Sequence, residues 1–207
     1  MITFMSEIIC ITNRKLCKDD FFLQLEKIAA AHPDSIVLRE KDLDENEYYT
    51  LSKKVRDLCY SKNTEFTMHY YYKAAINLGV RRIHLPLHTL MEMNNEEKKF
   101  FRVIGVSCHS TEEAESAEKL GATYITAGHI YNTDCKAGLP GRGLGFLNEI
   151  RKKVGLSVYG IGGISVENAK DVILSGADGI CIMSGFMKSP DPCRLVSLLR
   201  EVTQNNG

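Results

Sequence analysis

Glycine-rich segments follow two apolar, β-branched runs near the end of the chain. One reads GIGGIS over Gly160–Ser165, and the other is Met183-Ser184-Gly185. Glycines let backbone amides approach an anion, and a helix that begins at Ser165 would add the positive end of its dipole, although tight turns without a ligand also use glycine. We expect phosphate-binding contacts from Gly162, Gly163, Met183, Ser184 and Gly185.

A polar loop follows the apolar run that ends near Gly128. It contains His129, Thr133 and Lys136, and glycines recur through its second half up to Gly145. A flexible cationic loop suits a clamp over a phosphate, but a solvent-exposed connection has the same composition. An imidazole directly after a strand and beside an anion site can act as general acid and base, so we expect His129 to be catalytic.

Basic and polar side chains follow two other runs. Arg39 and Lys41 come after the second run, and the planar guanidinium of Arg39 can bind a carboxylate or a phosphate, or pair with Glu40. Ser107 ends the fifth run and precedes His109, which could contact a ligand or cap the next helix. We count Arg39, Lys41 and Ser107 among the expected substrate contacts.

Aromatic and imidazole side chains follow the third and fourth runs. His69 and Tyr70 could contact a heteroaromatic ring, or pack against helices as tyrosines commonly do. His84 and His88 lie near the fourth run without the neighbouring carboxylate that a metal site would need. We predict no metal site.

Composition excludes several classes of protein. The 26 basic residues balance the 26 acidic ones, so no global field favours nucleic acid or an anionic membrane. No apolar run is long enough to span a bilayer, and Met1–Ile11 do not resemble a signal peptide. The 7 cysteines form no C-x-x-C pair, which indicates free thiols and a cytoplasmic location. Cys10, Cys108 and Cys181 fit strand interiors, whereas Cys135 lies in the polar loop.

Strand-like runs and amphipathic stretches alternate along the whole chain. Helical spacing of apolar residues predicts helices over Asp20–Ala31 and Asn46–Ser61, and hydroxyl caps predict helix starts at Thr111 and over Ser165–Leu174. The predicted strands are Ile8–Thr12, Ser35–Arg39, Glu65–His69, Arg82–Leu85, Arg102–Ser107, Tyr124–Ala127, Ser157–Ile161 and Gly179–Met183.

Three similar junctions, at Gly79, Gly121 and Gly176, each end a helix immediately before a strand. Repeated αβ units over 207 residues with 44% hydrophobic content predict a single-domain α/β fold, a (β/α)8 TIM barrel over residues 1–207. An open doubly wound sheet is the alternative, because local pattern does not prove closure. In a barrel, the residues just after each strand meet on one rim. A homo-oligomer is compatible with the sequence.

Several segments resemble the thiamine phosphate synthase and TenI superfamily, and the resemblance covers nearly the whole chain. The matching segments are Ile11–Asn13, Leu38–Leu43, Ile83–Pro86, Gly105–Ser110, Ile161–Ile164 and Met183–Gly185. The resemblance implies a phosphate-binding barrel of thiamine biosynthesis.

The branch is indicated by other residues. Synthases of this superfamily typically have Asn-Asp-Arg after strand three and Gln-Glu-Asp after strand four, and these two aspartates hold magnesium against a pyrophosphate. This chain has His69-Tyr70-Tyr71 and Leu87-His88-Thr89 at the corresponding places. Without those carboxylates, magnesium lacks its protein ligands.

The loop after strand six also departs from the synthase pattern, which is Gly-Pro followed by Thr-x-Thr-Lys. Gly128-His129 and the segment Thr133–Lys136, with the later Gly141–Gly143, resemble TenI-type proteins. That resemblance implies a thiazole tautomerase without a cofactor. It would convert a thiazole carboxylate phosphate to its aromatic tautomer, with His129 moving the proton and Thr133 and Lys136 closing over the phosphate.

Other functions stay open at this stage. A thiamine phosphate synthase, joining hydroxymethylpyrimidine pyrophosphate to thiazole phosphate, would share the fold and the glycines but need magnesium. A non-catalytic regulator could bind a thiamine precursor through the same pocket, although no basic helix suggests contact with DNA. A sugar-phosphate isomerase is a further alternative, since a fold alone names no reaction.

Overall fold

The computed structural model describes residues 6–134 and 138–204. Eight parallel strands close into a barrel in which consecutive strands pair and the last strand pairs with the first. The closed sheet confirms the TIM barrel and rules out the open doubly wound alternative. The strands are β1 (Glu7–Ile11), β2 (Ser35–Leu38), β3 (Glu65–His69), β4 (Arg82–Pro86), β5 (Val103–Cys108), β6 (Tyr124–Gly128), β7 (Ser157–Ile161) and β8 (Gly179–Ile182).

Helices surround the barrel and connect its strands. None of those in the described ranges is both long and apolar enough to cross a membrane. The α-helices are α1 (Phe21–Ala30), α2 (Glu45–Ser61), α3 (Tyr72–Leu78), α4 (Leu87–Glu92), α5 (Asn95–Phe100), α6 (Thr111–Lys119), α7 (Gly143–Lys153), α8 (Ala169–Leu174), α9 (Ser184–Met187) and α10 (Pro192–Gln204), with a short 3-10 helix at Arg14–Leu16.

Alternation along the strands separates two apolar layers. Residues such as Ile8 and Cys10 pack between the sheet and the helices, whereas their neighbours Ile9 and Ile11 point into the barrel. The barrel interior contains few apolar side chains, and Cys181 is one of them. The expected burial of Cys10, Cys108 and Cys181 is confirmed. Because few side chains fill the barrel interior, a few strand positions determine the floor of the cavity above them.

The three glycine junctions have the backbone geometry that the sequence predicts. Gly79, Gly121 and Gly176 have φ angles of 74°, 93° and 97°. These values lie in the left-handed region, where a side chain is strained, and they end α3, α6 and α8 before the next strand. Glycine is therefore required by the chain reversal itself at these three places.

The predicted helix start at Thr111 is confirmed but its capping residue differs, and the start predicted at Ser165 is wrong. Thr111 is the first residue of α6, but the hydroxyl of Ser110 caps this helix by accepting the amide of Glu113 at 3.1 Å. The helix predicted from Ser165 begins only at Ala169, because the Asn168 side chain closes a turn: its Oδ1 accepts the Ser165 amide at 2.9 Å. No helix dipole therefore starts at Ser165.

Candidate active site

A cavity of about 640 Å³ opens at the carboxyl ends of the strands. The barrel brings together there most of the side chains that the sequence singles out, although they come from six different strand ends. Gly185 is not part of the wall, and Lys136 and Cys135 lie outside the described residues. The predicted residues that line the cavity are Arg39, Lys41, His69, Tyr70, Ser107, His129, Thr133, Gly162, Gly163, Met183 and Ser184.

The turn after β7 presents backbone amides to one side of the cavity. Gly162 and Gly163 have φ angles of 98° and 67°. Within the described residues, neither amide donates a hydrogen bond to a protein atom. Two adjacent unsatisfied N–H groups on a cavity wall suit the oxygens of an anion. The turn is held from behind by Asn168, whose side-chain amide donates to the Gly163 carbonyl at 2.9 Å.

The same glycines are also required by the loop that follows β6. A Cβ atom on Gly163 would lie 2.6 Å from the Asn132 carbonyl oxygen, and one on Gly162 would overlap His129. The two segments are joined by backbone hydrogen bonds, from Ile130 to Ile161 at 2.9 Å and from Tyr131 to Gly162 at 3.0 Å. The glycines therefore serve two purposes, close packing of this loop and exposure of the amides.

His129 is nearly buried, with 8% of its surface exposed, and its side chain forms part of the cavity wall. Its Nε2 atom lies 3.3 Å from the carbonyl oxygen of Leu139, so the hydrogen-bond network assigns the proton of the neutral ring to Nε2. Nδ1 is then the basic nitrogen. The backbone carbonyl of His129 accepts the amide of Arg142 at 2.9 Å, which fixes the residue from a second direction.

Arg39, Glu40 and Lys41 all line the cavity after β2. Glu40 is buried, with 3% of its surface exposed, and its carboxylate accepts the Thr12 hydroxyl at 2.6 Å and the Arg14 guanidinium at 3.1 Å. The Arg14 backbone amide donates to both of its oxygens. Glu40 thus joins the ends of β1 and β2. Arg14 was not predicted from the sequence, because it lies 26 residues before Glu40, after the preceding strand.

His69 and Tyr70 lie side by side at the end of β3. Burial, together with the neighbouring His84 and the positive charges of Arg39 and Lys41, lowers the pKa of His69 well below its usual value. A neutral His69 therefore faces the cavity. Tyr70 has a φ of 67° and is 44% exposed at the rim. A tyrosine held in the left-handed region is unusual, and it places an aromatic ring at the cavity mouth.

Ser107 lies at the cavity floor in a network that the sequence did not reveal. Its Oγ atom is 2.8 Å from Nε2 of His84, and Nδ1 of His84 is 2.9 Å from the Tyr124 hydroxyl. The signal was the alternation along β4, β5 and β6, which points these three side chains into the barrel. His109 does not cap α6, because its Nδ1 atom donates instead to the Gly128 carbonyl at 3.0 Å.

The donor set of the cavity does not fit a magnesium site. Glu40 is the one carboxylate on the described part of the wall, and Thr12 and Arg14 already occupy it. The segments that correspond to the aspartate-bearing ones of synthases, His69–Tyr71 and Leu87–Thr89, contain no carboxylate and place His69, Tyr70, Tyr71 and His88 on this wall. Magnesium prefers carboxylate oxygens and water to imidazole nitrogen. No group of three or more His, Cys, Asp or Glu side chains in the described ranges could hold a metal ion.

Residues 8–186 match the family model described as thiamine monophosphate synthase. A thiamine-phosphate synthase from Clostridium acetobutylicum is 32% identical over 185 residues, which cover 86% of each chain. A protein from Aquifex aeolicus named putative thiamine-phosphate synthase 2 is 34% identical over 178 residues, which cover 86% of this chain and 96% of that protein.

Solved structures also resemble this chain. A thiamine phosphate pyrophosphorylase from Pyrococcus furiosus superimposes with a TM-score of 0.81 at 26% identity, covering 98% of each chain. A 3-hexulose-6-phosphate synthase has a TM-score of 0.72 at 16% identity, covering 96% of this chain and 99% of that one, and this likeness concerns the fold alone. From the family match and these relatives, the chain belongs to the thiamine monophosphate synthase and TenI family of thiamine-biosynthesis enzymes.

Proposed function

We propose that this member of the family is a thiazole tautomerase. Its substrate would be a thiazole carboxylate phosphate in the non-aromatic, exocyclic tautomer, and its product the aromatic tautomer. The observation that carries the proposal is the pairing of an imidazole, His129, with a cavity whose only described carboxylate, Glu40, is already bound. Such a site is equipped to move a proton.

The reaction moves one proton from a ring carbon to the exocyclic carbon, so one acid–base group is sufficient. Neutral His129 would take the ring proton on Nδ1, and the electrons of that C–H bond would move into the ring as the exocyclic double bond accepts a proton on carbon. The imidazolium would return the same proton there, so no net charge or atom is gained. Aromatisation supplies the driving force, and the Nε2 contact with the Leu139 carbonyl keeps the ring oriented.

The two charged groups of the substrate have different partners in this proposal. The amides of Gly162 and Gly163, with Ser184 and Thr133, would hold the phosphate on one side of the cavity. Arg39 would hold the carboxylate on the other side, assisted by Lys41. All six residues are on the described wall. Lys136 is a further candidate for the phosphate, and Met183, His69 and Tyr70 for contact with the ring.

Thiamine phosphate synthase is the second candidate, favoured by the names of the relatives at 32% and 34% identity. That reaction would join a pyrimidine pyrophosphate to a thiazole phosphate, and it would depend on magnesium. The carboxylate-poor wall weighs against it.

The deciding experiment incubates the purified protein with each thiazole carboxylate phosphate tautomer, and identifies products by NMR. Parallel samples contain magnesium, hydroxymethylpyrimidine pyrophosphate and the thiazole phosphate that lacks the carboxylate. Conversion to the aromatic tautomer without magnesium supports the proposal. Thiamine phosphate formed only with magnesium would support the synthase, and binding of the thiazole without any conversion would support a regulator.

The role of His129 is tested by His129→Asn. Turnover should fall by at least about 100-fold, within the range that general acid–base catalysis contributes, while the affinity for inorganic phosphate stays the same. The matched control is His32→Asn, because His32 is exposed beyond the opposite end of the barrel and has a φ of 52°, which asparagine tolerates. Wild-type turnover in His129→Asn would exclude this mechanism.

A further inference from the structure

Three hydrogen-bonded side chains from the neighbouring strands β4, β5 and β6 lie beneath the cavity. Tyr124 on β6, His84 on β4 and Ser107 on β5 are linked by hydrogen bonds of 2.9 Å and 2.8 Å. Tyr124 and His84 are almost fully buried, with 5% and 4% of their surfaces exposed, and neither is on the cavity wall. Ser107 is the one of the three that reaches the wall.

The direction of these hydrogen bonds follows from the number of protons available. A tyrosine hydroxyl has one proton, and the only hydrogen-bond partner of the Tyr124 hydroxyl within residues 6–134 and 138–204 is His84 Nδ1. If His84 carried its proton on Nδ1, the buried Tyr124 proton would have no acceptor, which is costly. Tyr124 therefore donates to Nδ1, and the ring proton of His84 is assigned to Nε2.

The protonation state of His84 supports the same direction. Burial, together with the positive charge of Arg39, lowers the pKa of His84 to about 4. His69, stacked on His84 with ring centroids 5.9 Å apart, is also held neutral by burial. A neutral His84 has one N–H group, and that group donates to Ser107 Oγ.

Since Ser107 Oγ accepts a hydrogen bond from the Nε2–H group of His84, its own proton must point elsewhere. In the described ranges His84 is the only hydrogen-bond partner of Ser107 Oγ, and the remaining direction is the cavity. We propose that Tyr124 and His84 act as positioning residues that direct the proton of the Ser107 hydroxyl into the cavity, where it donates a hydrogen bond to the ligand. The group bound beside Ser107 is then an acceptor, such as a ring nitrogen or a carboxylate oxygen.

This inference rests on the proposed function only for the kind of ligand, a thiazole carboxylate phosphate, which carries both types of acceptor. It adds a selection rule that the phosphate contacts do not provide. A ligand that presents only an N–H or O–H donor to Ser107 would bind more weakly, because the proton of the Ser107 hydroxyl would then have no acceptor.

The first test needs no ligand. NMR of protein labelled with ¹⁵N in its histidines distinguishes the two neutral imidazole tautomers, and wild-type His84 should be in the Nε2–H form at neutral pH. In Tyr124→Phe the Nδ1–H form should become populated, because the donor to Nδ1 is gone. An Nδ1–H tautomer in the wild type would overturn the inference, as would a tautomer that does not respond to Tyr124→Phe.

The second test measures binding of the aromatic thiazole carboxylate phosphate and of inorganic phosphate. Tyr124→Phe should weaken binding of the thiazole compound about fivefold or more, the loss expected for one hydrogen bond, and leave inorganic phosphate unchanged. Tyr159→Phe is the control: Tyr159 packs against Tyr124 with ring centroids 5.0 Å apart, but it is not bonded to His84. Equal thiazole affinity in both variants would contradict the inference.

A double variant separates this role from a general effect on the barrel floor. If Tyr124 acts only through Ser107, Tyr124→Phe should cost nothing further in a Ser107→Ala background, whereas a structural effect would add to that of Ser107→Ala. Additive losses would therefore overturn the inference. Failure of the wild type to bind the thiazole compound would contradict the proposed function instead. The tautomer of His84 would still decide the direction of the hydrogen bonds from Tyr124 to His84 and from His84 to Ser107.

Discussion

Gly162 packs directly against His129. A Cβ atom at position 162 would overlap the Cβ atom of His129 and would lie 2.9 Å from its Cα atom. The φ of Gly162, 98°, also lies where side chains are strained. The turn after β7 and the candidate catalytic residue are therefore in van der Waals contact.

Gly162→Ala should displace His129 and lower turnover. A displacement of about 1 Å at a catalytic group can cost on the order of 100-fold in rate, and this is the loss we expect. The control is Gly145→Ala in α7, where an added Cβ atom would meet nothing within 4 Å. That change should keep full activity and raise stability by about 0.5–1 kcal/mol. Unchanged turnover in Gly162→Ala would show that the contact does not position His129.

Glu40→Gln should weaken substrate binding. The amide would turn N–H groups toward the Thr12 hydroxyl and the Arg14 amide, which now donate to the carboxylate. Because this clamp sets the segment that carries Arg39 and Lys41, we expect KM to rise about tenfold, equivalent to roughly 1.4 kcal/mol of lost binding, with a smaller effect on kcat. Asp42→Asn is the control, since Asp42 is an exposed partner of Arg14. A KM equal to that of the wild type would argue against this positioning role.

Tyr48→Phe should reduce stability rather than catalysis. The buried Tyr48 hydroxyl donates to the Leu38 carbonyl at 2.7 Å and accepts the His69 amide at 2.7 Å, so it joins the ends of β2 and β3. Its removal leaves both groups unpaired, and we expect urea unfolding to show a loss of about 1–3 kcal/mol. Tyr60→Phe, at a side chain that is 56% exposed, should change the free energy of unfolding by less than about 0.5 kcal/mol.

Stability should fall as the pH drops below 6.5. The pKa of His84 is lowered from 6.5 to about 4 in the folded chain, so below pH 6.5 the unfolded chain binds a proton that the folded one does not. Stability from this residue is complete above pH 6.5 and declines toward pH 4, by on the order of 3 kcal/mol. Urea unfolding across this range should show a shallower decline in His84→Gln, whose amide does not titrate. Identical slopes would contradict the assigned pKa.

Strand positions were predictable because their signal is local. Every strand edge predicted from β-branched runs lies within one residue of the structure. The glycines at the αβ junctions were also predictable, because a glycine between a helix and a strand is a local signal for a left-handed φ angle. The start of α8 was not predictable from Ser165 alone. Its amide is satisfied by the side chain of Asn168, and this competition between side chain and backbone decides where the helix begins.

The residues at the rim of the candidate site were predictable from the sequence, but the hydrogen bonds beneath the rim were not. Residues directly after strands, such as Arg39 and His129, are readable once a barrel is assumed, because the topology places them on one face. The contacts of Glu40 with Arg14, and those of His84 with Tyr124 and Ser107, join residues 23 to 40 positions apart. Only the register of the closed sheet brings such partners together: the alternation along a strand indicates which side chains face the interior, but not which of them meet.

The bonding of Glu40 to Thr12 and Arg14 shapes the field that an incoming ligand meets. With the single carboxylate of the described wall held by a guanidinium, we expect Arg39 and Lys41 to make the mouth electropositive. A positive potential speeds the encounter with multiply charged anions, and dissolved salt screens it over about 8–10 Å. Under the proposed function, sulfate or phosphate in the medium should therefore compete with the substrate for entry.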